Sequence, residues 1–206
     1  MRMLTPVVLA VTLAASGAAS RPAAAQDVLI DRVLATVEGR VITLSDVRAA
    51  RVVGLGGTGP AGGSTDAVLS ALIDRALVLE EVERYAPPEP EAADVDRAVA
   101  ALRAARGPAF DDAARAVGLD DAAVRLWARN DLRIERYLAQ RFAATIEPTD
   151  EDIESYRRAH AGDPGPARDD AAIRAAVTAE RRTALVREWI DGLRARAGVS
   201  ISAPVP

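Results

Sequence analysis

The stretch VLATVEGRVITLSDV, residues 33–47, most constrains the fold, because it combines two strand signals, a turn and a helix start. Val33–Val37 is a short apolar run with β-branched residues, and Glu38-Gly39-Arg40 contains the residue type that adopts positive φ most freely. Val41–Leu44 is a second run rich in β-branched residues. Ser45-Asp46 then supplies an N-cap and an acid in the first turn of a helix. The stretch predicts a strand, a tight turn, a second strand and a helix start.

The rest of the chain shows helical periodicity, interrupted by clusters of Gly and Pro. The predicted helices run from Ser45 to Val53, from a cap at Thr65 or Asp66 to Tyr85, over 91–105 and 110–117, from Asp120 to Phe142, from Thr149 to near His160, and from Asp169 or Asp170 to a C′ glycine at Gly198. The helix that ends at Tyr85 is apolar on more than one face, which predicts a central position.

The alternating residues Val199–Ser202 predict a short strand at the C-terminal end. An isolated hairpin is only marginally stable in water, so this strand would complete a small sheet. We therefore predict a mainly α fold. Its expected form is a multi-helix domain with a small β-hairpin near the N-terminus, completed by a C-terminal strand.

Residues 1–25 have the pattern of a secretory signal peptide. Arg2 is a short positive region, Leu4–Ala15 is apolar, and Ala23-Ala24-Ala25 is an A-x-A cleavage site before Gln26. The apolar run is shorter than the ~20 residues that a membrane span needs. We expect cleavage after Ala25, secretion, and no stable membrane insertion after the signal is removed.

Charge and composition exclude several classes of protein. The 206 residues suggest one domain or two small ones, with a net charge of −4 from 26 basic and 30 acidic residues. Loss of the signal would remove two arginines and no acid, which leaves 24 basic against 30 acidic groups, or −6. This balance argues against nucleic-acid binding. The chain contains no lysine and no cysteine, so lysine chemistry and disulfides are excluded.

Three motifs that could carry chemistry are better explained by structure. The glycines from Gly54 to Gly59 match G-x-G-x-x-G, but a helical segment precedes them and Pro60 follows, which favours a surface loop. The single His160 lies at a helix C-terminus, where a capping role is favoured. Three acidic pairs stand at predicted helix starts and are expected to cap them: Asp111-Asp112, Asp120-Asp121 and Asp169-Asp170. We predict no catalytic, cofactor-binding or metal-binding residue and no cofactor.

The arginines and aromatic residues are also mostly structural in this interpretation. Arginines alternate with acids along the helix that carries Trp127, as on a solvated helix face. Trp127, Trp189 and Phe142 lie on apolar stripes, which predicts core positions. Tyr137 lies off the stripe and is therefore the one weak candidate for a client-binding residue. The residues alone do not otherwise define a client-binding surface.

The segment IDRVLATVEGRVITLSDV resembles the opening of the SurA-type periplasmic chaperones, in which a strand pair leads into a helix that begins at Ser-Asp. ALIDRALVLEEVERYA resembles the second helix of that family, and IEPTDEDIESYRRAH resembles the segment that leaves its chaperone domain. The final helix and strand resemble the returning C-terminal elements of the family. The resemblance covers roughly the whole mature chain through the order of its elements.

The resemblance implies a division of the chain into a signal peptide at 1–25, an N-terminal chaperone region at 26–160, a linker at 161–169, and a returning helix and strand at 170–206. In the isomerases of this family a parvulin domain occupies the position of the linker. The linker is far shorter than the ~50 residues of a minimal domain. Parvulin sites also use paired histidines, whereas this chain has one. The resemblance thus implies the chaperone module without the isomerase.

The expected function is that of a periplasmic, ATP-independent chaperone that binds unfolded or nascent envelope polypeptides, including outer-membrane proteins in transit. Two alternatives remain open. The chain could be a peptidyl-prolyl isomerase of the SurA/PpiC type, or a dedicated assembly or scaffold protein of the envelope. A proline-peptide isomerisation assay distinguishes the first, and the number of partners in a pull-down distinguishes the second.

Overall fold

The computed structural model describes residues 31–56, 63–143, 147–160 and 169–202. The predicted signal peptide, the centre of the Gly54–Ser64 loop and most of the predicted linker lie outside these ranges. The described part is mainly helical with one small antiparallel sheet, as predicted. Its elements are β1 Val33–Val37, β2 Arg40–Thr43, α1 Leu44–Val53, α2 Thr65–Tyr85, α3 Ala92–Arg106, α4 Phe110–Ala116, α5 Asp121–Phe142, α6 Asp150–Ala159, α7 Asp170–Arg196 and β3 Val199–Ile201.

The hairpin of β1 and β2 turns over two residues. Glu38 has φ 47° and Gly39 has φ 81°, and Val37 pairs with Arg40 on either side of them. Two consecutive positive φ values are typical of a type I′ turn, whose twist matches that of the strands it joins. The first strand begins and ends where predicted. The second begins one residue earlier, because Arg40 belongs to the ladder and not to the turn.

Two predicted helix caps are wrong by one or two residues. The N-cap of α1 is Thr43, not Ser45: its hydroxyl accepts from the Asp46 N–H, and the Asp46 carboxylate accepts from the Thr43 N–H at 2.8 Å. This reciprocal capping box satisfies two backbone donors, which a cap at Ser45 would not do. Ser45 instead donates its N–H to Asp31 at 3.1 Å. The cap of α2 is likewise Ser64, whose hydroxyl accepts from the Ala67 N–H.

The C-terminal strand completes the sheet, as predicted, and pairs with β1 alone. The strand order is β2-β1-β3, so β1 is central. Glu38 N–H donates to Gly198 O at 3.2 Å, and Ser202 N–H donates to Leu34 O at 2.9 Å. Gly198 is the C′ residue of α7, as predicted, but it does not adopt the left-handed conformation that is common at that position. The C-cap of α7 is Ala197, which has an extended backbone. Gly198 already lies beside β1, where its N–H donates to the Glu38 carboxylate.

Helix α2 occupies the centre of the fold, as its wide apolar surface predicted. It packs against β1, β2, α1, α5 and α7. Side chains such as Val68, Ile73 and Val82 are fully buried between the sheet and the other helices. A second cluster, around Val99, Phe110 and Val124, joins α3, α4 and α5.

Helix α6 packs against the first half of α7 and forms a third, smaller cluster with it, built on Ile153, Ile173 and Val177. The predicted capping box at Thr149 is confirmed, because the Thr149 hydroxyl accepts from the Asp152 N–H and the Asp152 carboxylate accepts from the Thr149 N–H. The hydrogen bond from the Thr149 hydroxyl holds the pKa of Asp152 below its ordinary value.

The start of the glycine-rich loop terminates α1 and supports a neighbouring helix. Gly54 has φ 98° and its N–H donates to Ala50 O at 3.0 Å, as in a left-handed helix C-cap. The Arg106 guanidinium lies against it and donates to Val52 O at 3.1 Å and to Arg51 O at 3.3 Å. A Cβ atom at position 54 would lie 2.1 Å from Arg106 Nη2. A glycine at position 54 is therefore explained by the end of α1 and by the close contact with Arg106. A nucleotide-binding role is not needed to explain it.

We therefore expect Gly54→Ala to lower the free energy of unfolding by about 2–3 kcal/mol, because it adds left-handed strain and displaces the Arg106 hydrogen bonds. The matched control is Gly118→Ala, since Gly118 has φ 79° and a Cβ atom added there would meet no other atom within 4 Å. The control should lose only the strain, about 1–2 kcal/mol. Urea unfolding of both variants measures the difference, and equal losses would contradict the role of Arg106.

Candidate functional site

The strongest candidate site is an apolar groove beside β2, which we call the edge groove. The residues that line it come from β2, α1, α2 and α5, and from Leu119, which precedes the cap of α5. Its volume is about 360 Å³, within the range of ordinary ligand sites. The lining residues are Arg40, Val41, Asp46, Ala49, Leu72, Arg75, Ala76, Leu79, Leu119, Ala123, Leu126, Trp127 and Asn130.

Two large apolar side chains of the edge groove are open to solvent. Val41 on β2 is 49% exposed and Leu126 on α5 is 53% exposed. Each comes from a different element that lines the groove, while Leu72 and Leu79 on α2 are buried. Scattered exposed apolar residues are normal, whereas exposed residues that share one groove indicate a binding surface.

The indole of Trp127 is held in the edge groove by Arg75. The Arg75 guanidinium lies 4.0 Å from the centre of the indole ring and donates to Trp127 O at 3.3 Å. Asp131, one turn further along α5, forms an ion pair with the same guanidinium. These contacts hold the Trp127 indole and the Arg75 guanidinium in place, so the groove presents a rigid aromatic side chain.

Neither Val41 nor Leu126 is among the site residues expected from the sequence. Val41 lies in a predicted strand, but β2 is an edge strand only because the third strand pairs with the other side of β1, and the sequence does not determine that pairing. The sequence does indicate that Leu126 is unusual. It is an apolar residue beside Arg125 and outside the apolar stripe of an amphipathic helix. An apolar residue on the polar face of a helix is a reason to look for a partner.

Tyr137, the weak client-binding candidate, is not on the surface. Its side chain belongs to the main core and the residue is only 6% exposed. Its ring lies 5.8 Å from that of Tyr85 and 5.9 Å from that of Trp189, and its hydroxyl accepts from Arg141 at 3.3 Å. Burial raises the pKa of Tyr137. The expectation of an exposed Tyr137 is wrong, because α7 packs onto this part of α5.

The arginine face of α5 is only partly solvated. Arg133 is 8% exposed, and its Nε lies 3.2 Å from Glu89 Oε1. Arg129 contacts the other oxygen of Glu89 at 2.7 Å. Arg125 and Arg136 pair with Asp96 and Asp94 of α3. The arginines of α5 therefore join it to α3 and to the loop before α3.

The residues considered for catalysis or metal binding serve as helix caps or as partners in ion pairs. His160 is the C-cap of α6 and its ring stacks on Tyr156 with centroids 4.0 Å apart. Asp120 and Asp169 cap α5 and α7, as predicted. Asp111 and Asp121 both pair with Arg103 at 2.9 Å, and these hydrogen bonds raise the pKa of Arg103. Among the described residues, no group of three or more potential ligands is positioned to hold a metal ion.

The chain matches no protein-family model and no curated protein. None of the helices in the described ranges has the length and apolar character needed to cross a membrane. The resemblance to SurA-type chaperones stays a prediction from the sequence.

Proposed function

We propose that this protein is a periplasmic, ATP-independent chaperone that binds unfolded polypeptides, with outer-membrane proteins in transit among its clients. The observation that carries the proposal is the edge groove, where exposed Val41 and Leu126 lie beside a fixed Trp127. A shallow apolar groove suits weak, reversible contact with apolar segments that a folded client would bury. The signal-like N-terminus and the order of elements that resembles the SurA-type family support the periplasmic part of the proposal.

The test uses the mature chain, residues 26–206, mixed with an outer-membrane protein as the denaturant is diluted. We expect light scattering from the aggregating client to fall at a stoichiometric ratio without ATP. Leu126→Glu should weaken this effect, because a carboxylate would have to lose its hydration when an apolar segment binds. Leu126→Met is the matched control and should keep the activity, because it preserves apolar volume. Unchanged scattering with the wild-type chain would overturn the proposal.

A further inference from the structure

Among the described residues, the outer edge of β2 has one pair of backbone hydrogen-bonding groups without a partner, at Val41. Leu44 N–H donates to Arg32 O at 2.8 Å, so the backbone groups of every second residue before it, Ile42 and Arg40, also point to β1. The groups of Val41 and Thr43 therefore point the other way. Thr43 N–H is occupied by the Asp46 carboxylate in the capping box. For the Val41 N–H and C=O, the described residues provide no partner.

These free groups lie beside the edge groove, which Val41 itself lines. A strand that added to β2 would bond to Val41 and direct every second side chain to the same side. Leu126 and Trp127, which line the groove from α5, would contact those side chains. The backbone edge and the apolar groove together specify an extended segment, whereas a helix would leave the Val41 groups without a partner.

The charges of the groove specify the composition of that segment. The charge of Arg75 is paired with that of Asp131, whereas Asp46 accepts a hydrogen bond from the uncharged Thr43 N–H and adds a negative charge to the lining. Arg40, beside Val41, is half exposed and only loosely paired with Glu83 at 3.7 Å. A segment without charged side chains avoids repulsion from both Arg40 and Asp46, and apolar side chains match the rest of the lining.

We propose that the edge groove binds extended, uncharged client segments with alternating apolar side chains by strand addition to β2 at Val41. This inference rests on the proposed chaperone function and names the class of segment that the groove selects. The capping box limits the added strand to one backbone pair on this side. A short contact of this kind is weak and reversible, and it keeps β2 from recruiting long strands as an open sheet edge would.

The test is a titration of a short labelled peptide of alternating valine and threonine into the mature chain. Val41→Pro removes the outward N–H but no hydrogen bond to β1, and proline is tolerated at such edge positions. We expect it to weaken peptide binding about tenfold or more, since it removes a hydrogen bond and blocks close approach of a strand. Circular dichroism and thermal unfolding establish that the variant is folded.

Ile201→Pro is the matched control. Gly198 and Ser202 both bond to β1, so Ile201 directs its N–H to the opposite free edge, and it is 60% exposed with no part in the edge groove. This control should bind the peptide like wild type. Amide exchange at Val41 should slow when the peptide binds. A peptide N-methylated along one edge should bind weakly to the wild-type protein, which tests the backbone bonds without a mutation.

The outcomes separate this inference from the proposed function. If the wild-type chain suppresses aggregation but Val41→Pro and peptide N-methylation have no effect, strand addition is wrong and the chaperone proposal stands. If the peptide binds at Val41 but aggregation is not suppressed, the chaperone proposal is wrong and the edge site stands. If Val41→Pro only converts a dimer to a monomer, a second copy occupies the edge, and the inference is overturned.

Discussion

Deletion of 198–206 should lower the melting temperature by about 10 °C or more, because it removes β3 and leaves β1 as an exposed edge. The deletion loses the hydrogen bonds of Glu38 with Gly198 and of Ser202 with Leu34, together with the ladder between them. At about 1 kcal/mol for each backbone bond, the loss is about 3–5 kcal/mol. That is a large part of the 5–15 kcal/mol that stabilises a typical domain.

The control for this deletion removes only 203–206. It keeps Ser202 and therefore every strand hydrogen bond that joins β3 to β1. Thermal unfolding followed by circular dichroism compares the two deletions with the mature chain. We expect the control to melt like the mature chain. An unchanged melting temperature after the longer deletion would show that β3 does not hold the two ends of the domain together.

The sequence predicted the elements well because most boundaries are set by local chemistry. The strand at Val33–Val37, the caps at Asp120 and Thr149 and the central position of α2 are confirmed. The errors at Ser45 and at the start of α2 arose where several capping residues stand together. For α1 the cap is Thr43 and not Ser45, because Asp46 stands three residues after Thr43. Only that spacing allows a capping box to form.

The candidate site was much less predictable, because it depends on how elements pack. The backbone of Val41 lies at an open edge since the third strand joins the other side of β1, and no local pattern fixes that order. Arg133 and Tyr137 are buried since α5 contacts α3 on one side and α2 and α7 on others. A single apolar stripe on a helix predicts one buried face and therefore places the residues outside it in solvent.

Tyr137→Ala should lower the free energy of unfolding by about 3–4 kcal/mol, the usual cost of removing a large buried aromatic side chain. The ring joins Tyr85 and Trp189, and through Trp189 the Phe142 ring, so its loss leaves a cavity where α7 meets α5. Tyr137→Phe should lose about 1 kcal/mol or less, since it forfeits only the hydrogen bond from Arg141. Urea unfolding measures both changes.

The same variants decide whether Tyr137 belongs to the core or to a client-binding surface. Tyr85→Ala is the surface comparison, because Tyr85 is 61% exposed and its removal should cost only about 1 kcal/mol, the contribution of its ring contact with Tyr137. A core role predicts that Tyr137→Phe suppresses client aggregation as well as the wild-type chain does, because the packing of the ring is kept and no client reaches it. A client-binding role predicts weaker suppression by Tyr137→Phe at unchanged stability, and that result would contradict the buried position of Tyr137.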